Sequence, residues 1–193
     1  MRKDNPGTKS RIISAAWKLF YDRGFDDTTV EDIVILSGTS KGSFYHYFES
    51  KDSLLGTLST LFDEKYEELT DTASEFSSSF DALMYLNKEL FLMIENSISI
   101  DMLAKLLSTQ LFAKGERHLL DRNRTYFKLL FSIVRAGQER GELSDSVSAN
   151  EIVKAYALCE RAFMYDWCLC SGEYSLANYA APLMRAFLSH YRV

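Results

Sequence analysis

The residues with the plainest chemical potential stand close together. Gly38-Thr39-Ser40-Lys41-Gly42 matches G-x-S-x-G, the sharp turn on which a hydrolase presents a nucleophilic serine between a strand and a helix. That role needs a strand before residue 38 and a base near the hydroxyl. The three histidines, His46, His118 and His190, are spaced 72 residues apart, and none makes a local triad with Ser40. A short helical pattern precedes Gly38, and the chain has no strand period anywhere. A helical hydrolase is therefore the weakest reading, and no catalytic residue is assigned. Metal chemistry fares no better. Cys168 and Cys170 are two apart, which puts their thiols on different faces of a helix, and no histidine lies within a turn of Cys159, Cys168 or Cys170. Core thiols are expected, with no metal and no cofactor.

The segment 39–51 supports another chemistry. Thr39, Ser40, Lys41, Ser43, Tyr45, His46, Tyr47 and Lys51 place donors at nearly every position, while Phe44 and Phe48, four apart, anchor one face. A recognition helix needs this combination: apolar anchors behind, short donors for base edges in front, and Tyr or Lys for phosphates. Glycine at position 42 costs a helix about 1 kcal/mol relative to alanine, a cost that a purely structural surface helix has no reason to carry. Close approach of the backbone to a ligand is a reason.

Helices must position these groups. Ile12, Ala15, Ala16, Leu19 and Phe20 form a one-sided helical stripe, capped in front by Thr8 and stopped by Gly24. Thr29 with Asp32 reads as a capping pair for a short helix ending at Ser37-Gly38, and Ser40 opens the next. Three helices in about 48 residues, the last two joined through Gly38, make a helix-turn-helix. Beyond Lys51 the pattern predicts a helix to about residue 70 and a second after the joint at 74–79. A third is predicted over about 101–113 and a fourth over about 116–140. Ser148 and Glu151 form a capping box for a helix to about Cys170. The last runs to about Arg192, beginning near Ala181 or kinked at Pro182. The chain is expected to be all-α with about nine helices: a DNA-binding domain over residues 1–50 and a second helical domain over 51–193.

Composition agrees. Two prolines and nine glycines in 193 residues are too few for many short strands and tight turns. No apolar run approaches the roughly 20 residues of a membrane span, and the polar start, with Arg2, Lys3 and Asp4, is not a secretory segment, so a cytoplasmic location is expected. Three cysteines in that compartment make no disulfide framework. The net charge is −5, but residues 1–56 hold eight basic and eight acidic side chains, so the deficit lies wholly in the remainder. A neutral front end can approach a phosphate backbone that repels the acidic rest.

Thr28-Thr29-Val30-Glu31-Asp32-Ile33, Gly38 through Phe48, and Ser50-Lys51-Asp52-Ser53-Leu54 resemble the DNA-binding domain of the TetR family of bacterial transcriptional regulators. The resemblance covers about residues 9–56; the rest matches only in length and helix layout. It implies a non-enzymatic homodimer that binds a palindromic operator in double-stranded DNA and usually represses. A small molecule entering the second domain would release it. By position it implies base-edge contacts from Thr39, Ser40, Lys41, Gly42 and Ser43. Phosphate contacts would come from Thr29, Tyr45, Tyr47 and Lys51, with His46 at the edge. Two residues depart from the family pattern: Thr39 stands where an aliphatic residue is common, and Ile35 is apolar where the surface is usually polar. Ile35 is expected to pack against a neighbouring helix.

In the second domain most aromatics are expected to be core. Polar residues inside apolar helices are better pointers to a ligand pocket. Asn87, Gln110, Asn123 and Tyr126 qualify, with Phe91, Phe127, Tyr156, Cys159, Phe163 and Trp167 as apolar lining for a largely apolar or aromatic effector. Ala155, Ala162 and Leu169 share a seven-residue stripe, and Leu183, Ala186, Phe187 and His190 lie on the last helix. Together they are the candidate dimer interface. The competing reading makes the second domain a docking surface for a protein partner, which a pocket filled completely by side chains would favour.

Overall fold

Helix follows helix throughout the computed structural model, which describes residues 7–112 and 117–193. The helices are α1 (Thr8–Arg23), α2 (Val30–Ser37), α3 (Lys41–Tyr47), α4 (Leu58–Ser74), α5 (Ser79–Ser97), α6 (Ile100–Phe112), α7 (Thr125–Glu139), α8 (Ala149–Leu169) and α9 (Leu176–Ser189). Two 3₁₀ turns, Asp52–Thr57 and His118–Leu120, precede α4 and α7. Among the described residues there is no strand, only one antiparallel bridge between Leu143 and Arg192. The chain is all-α, as its patterning predicts, and no described helix is long and apolar enough to cross a membrane. Arg2, Lys3, Asp4, Ala113 and Glu116 lie outside the described residues.

The first three helices close around Ile12, Ala16, Phe20, Ile33 and Phe44, all essentially inaccessible to solvent. The Ile and Phe side chains each contribute about 1.5–3 kcal/mol by burial. Gly38 ends α2 at φ 61° and ψ 36°, the left-handed conformation that glycine adopts without strain. That turn aims α3 across α2. In the second domain α5 is packed between α4, α7 and α9, and α8 closes on α6, α7 and α9. The turn Asp52–Thr57 touches α1, α4 and α6, so it joins the two parts.

Four boundaries differ from the sequence expectation, two of them for a tertiary reason. The helix predicted from Lys51 is divided, because Ser53 Oγ donates to Ser50 O (2.6 Å) and Leu54 N donates to Lys51 O (3.1 Å). Such i to i+3 bonds tighten the turn to 3₁₀. The helix predicted from 116 begins at Thr125, where Asp63 of α4 accepts the Tyr126 N–H at 3.1 Å and caps it from outside. The last helix begins at Leu176, whose N–H is taken by Glu95 of α5, so Pro182 is internal to α9. At the front, Gly7 rather than Thr8 is the N-cap of α1, with no side-chain bond.

Candidate functional site

Residues around α3 have two kinds of work. Ser40 accepts the Ser43 N–H at 3.0 Å and Thr29 accepts the Asp32 N–H at 3.2 Å, so both cap helices. Asp32 returns the bond, accepting Thr29 N–H at 2.9 Å, so the reciprocal cap forms even with the shorter acid. Their hydroxyls lie at helix N-termini, where backbone N–H groups favour anions. Phe44 and Phe48 are buried, while Thr29, Ser40, Lys41, Gly42, Tyr45, His46 and Tyr47 are exposed and Thr39 and Ser43 half-buried. The whole polar face of α3 is therefore open to solvent. A Cβ built on Gly42 would meet only Ser40 Oγ, at 3.7 Å, so packing within the protein does not require glycine there. Lys41 Nζ donates to Glu31 at 2.8 Å, and both side chains are more than half exposed. Water screens such a pair, and a nucleic-acid acceptor can replace it.

Two expectations are corrected here. Lys51 does not present its ammonium to solvent: Nζ donates to the carbonyls of Phe25 (2.6 Å), Thr28 (2.7 Å) and Asp26 (3.3 Å) and lies 4.4 Å from the centre of the Phe25 ring. All three protons are engaged, so within the chain the side chain ties down the α1–α2 loop. Ile35, expected to pack against a neighbouring helix, is 73% exposed. Beside Lys51, Lys105 of α6 donates to Asp26 and Asp101 at 2.8 Å each, linking the loop to the second domain.

In the second domain the predicted pocket residues scatter. Asn123 is exposed on the surface, its N–H held by Asp121. Trp167 is buried, and its Nε1 donates to Tyr174 O, within the packing that ends α8. Phe91 and Phe127 are core, and Phe163 stacks edge-on against Phe91. Cys159 is half-buried, and burial raises its thiol pKa. Tyr156 is buried and donates to Leu83 O at 2.9 Å. Two predicted residues, however, converge on one that the sequence reading passed over. Glu160 is 2% exposed; Asn87 Nδ2 donates to it at 3.0 Å and Tyr126 OH at 2.7 Å, with Tyr66 OH at 3.5 Å. Burial raises the Glu160 carboxyl above its usual range, against the opposing pull of the Asn87 and Tyr126 donors. Burial likewise keeps the Tyr66, Tyr126 and Tyr156 hydroxyls protonated as donors. A glutamate on the apolar face of α8, level with Ala157 and Met164, was the available signal.

Glu160, Tyr66, Tyr126 and Arg124 line a narrow cavity of about 30 Å³. Leu119 and Arg161 separate it from an outer groove of about 480 Å³, lined by Leu107, Gln110, Leu111, Arg117, Leu120 and Tyr165. Gln110 is thus at the groove, where it also accepts the Leu119 N–H at 3.3 Å. The wall connects to the DNA-binding end. His118 stands so close over Gly56 that a Cβ there would lie 2.9 Å from its ring Cδ2. Arg124 pairs with Asp63 at 2.9 Å and donates to Ser59 O, both on α4. Trp17 of α1 in turn donates to Thr57 at 3.0 Å. Among the described residues no cluster of metal-ligating side chains occurs.

Leu158, Tyr165 and Leu169 of α8 and Tyr179 and Leu183 of α9 are large, apolar and about half to two-thirds exposed, with Tyr165 also bordering the groove. Ala162, Ala186 and His190 are exposed beside them, and Ala155 and Phe187 half-buried. Residues 155, 158, 162, 165 and 169 alternate by three and four, the spacing of a helix-packing seam.

Comparison with known proteins agrees with this architecture. The model of bacterial regulatory proteins of the tetR family matches residues 12–58. The chain is 31% identical over 149 residues to the probable HTH-type transcriptional regulator ArpR of Pseudomonas putida, covering 70% of each chain. It is 27% identical over 148 residues to the HTH-type transcriptional repressor KstR2 of Rhodococcus jostii, covering 73% of this chain and 70% of that one. Its fold is similar to that of Thermus thermophilus FadR, a TetR-family repressor solved with lauroyl-CoA: TM-score 0.79 and 22% identity, over 96% of this chain and 95% of that one. Fold, helix-turn-helix and 31% identity to a relative over 70% of both chains converge: the chain belongs to the tetR family of bacterial regulatory proteins.

Proposed function

We propose that this regulator is a homodimeric repressor that binds a palindromic operator and leaves it when a small molecule enters the second domain. The observation that carries the DNA side is the open face of α3, with Gly42 at its centre where no internal contact calls for glycine. Ser40, Lys41, Gly42, Thr39 and Ser43 would meet base edges, and Tyr45, Tyr47 and Thr29 phosphates, with His46 at the margin. The cavity beside Glu160 and the open groove outside it favour a small effector over a protein partner, because the side chains of the described residues leave both unfilled.

Gly42→Ala tests the DNA side with opposite signs. Alanine restores about 1 kcal/mol of helix propensity, so thermal stability should hold or rise. Its methyl stands between backbone and groove, so affinity for DNA from upstream of the gene should fall about tenfold or more in a mobility-shift titration. Unchanged affinity would remove α3 from the contact.

Coupling is supported by the wall that Leu119 and His118 share. A ligand that displaces Leu119 also moves His118 away from Gly56, and with it the turn Asp52–Thr57 that joins the domains. Gly56→Ala drives the same contact apart from the other side. Operator affinity should then drop about tenfold without effector, within the usual range of allosteric coupling. An unaltered affinity with an unaltered effector response would place the coupling elsewhere.

A further inference from the structure

We propose that the effector is a protonated amine on an apolar body, with its ammonium held by Glu160 and its body in the outer groove. This rests on the reading of the second domain as an effector site. Glu160 is nine-tenths or more enclosed, and every hydrogen bond it accepts among the described residues comes from a neutral donor: Asn87, Tyr126 and Tyr66. It belongs to no ion pair among those residues. A carboxylate taken out of water without a counter-ion is strongly disfavoured, and a bound cation removes that penalty only when present. The surroundings suit one. The Tyr66 and Tyr126 rings stand edge to face at 5.0 Å beside the carboxylate, and Phe62 completes an aromatic wall, which attracts an ammonium further.

Of the two cations nearby, Arg124 is already neutralised by Asp63 at 2.9 Å. Arg161 is half-exposed where cavity and groove meet, and is screened by water there. The inner cavity of about 30 Å³ has room for a small head alone, so the rest of the molecule must cross Leu119 into the groove of about 480 Å³, lined by Leu107, Leu111, Leu120 and Tyr165. A bare acyl chain ending at Glu160 would offer the buried carboxylate neither a hydrogen bond nor a counter-charge. An anionic head would add repulsion. The chemistry therefore separates this chain from the acyl-CoA held by the structural neighbour.

The matched probes are dodecylamine, dodecanol and dodecanoate, each below its micellar concentration, titrated calorimetrically into the full-length protein. Dodecylamine should bind at least tenfold more tightly than either other probe. Glu160→Gln should weaken the amine at least tenfold and leave dodecanol within threefold. The variant without ligand should melt no lower than wild type, since an uncompensated buried charge has been removed. Dodecanoate binding as well as the amine, an amine affinity indifferent to Glu160→Gln, or no binding by the amine would each overturn the proposal. Operator release is read separately. A carboxylate that binds and releases DNA would leave the effector reading standing and remove the amine; an amine that binds through Glu160 without affecting DNA would do the reverse.

Discussion

Leu169→Arg combined with Ala162→Arg should yield folded, helical monomers whose operator affinity is lower by about a thousandfold or more. Leu169 is 66% exposed and Ala162 lies one heptad before it on α8, so arginine at either position meets water in the single chain. Opposite a second copy it would bury charge within an apolar seam built from Leu158, Tyr165, Leu183 and Phe187. The DNA effect is large because one recognition helix reads few base pairs. Dimerisation makes capture of the second half-site intramolecular, at an effective concentration of order mM. Sedimentation velocity with circular dichroism decides the matter. A folded dimer would move the interface off α8 and α9, and an unfolded chain would return these positions to the core.

The second large effect concerns Lys51. Replacing it with methionine removes three charge-assisted bonds to Phe25, Asp26 and Thr28 and the contact with the Phe25 ring. Bonds to charged groups are worth about 1.5–3 kcal/mol each, and part of this returns as the freed carbonyls meet water. A net loss of about 2–4 kcal/mol is expected in denaturant unfolding. DNA affinity should fall alike for cognate and scrambled duplexes, because the loop leading to the Thr29 cap loosens. The salt dependence separates this role from a phosphate contact. A lysine paired with a phosphate contributes about 0.9 to the slope of log affinity against log salt, and the tie to the loop contributes nothing. An unchanged slope is expected; a slope reduced by about one would restore Lys51 to the DNA surface.

What could be read along the chain was whatever depends on near neighbours. The capping pairs Thr29–Asp32 and Ser148–Glu151, the left-handed turn at Gly38 and the anchors Phe44 and Phe48 are interactions within a few residues. Residue type and spacing therefore specify them before any packing occurs. The exposed stripe of α8 was legible for the same reason, being a period along one helix. Contacts across 23 to 94 positions followed no such rule. Lys51 meets carbonyls 23 to 26 residues away, Asp63 starts a helix 63 residues on, and Glu160 collects donors from Asn87, 73 residues before it, and Tyr66, 94 before it. Asn123 and Trp167 have the right chemistry for a pocket but lie away from the cavity, because helix rotation and loop path set where a side chain ends. Only the packing of α4, α5, α7 and α8 decides that Glu160 loses its water, and a buried charge is defined by that loss, not by its neighbours in the chain.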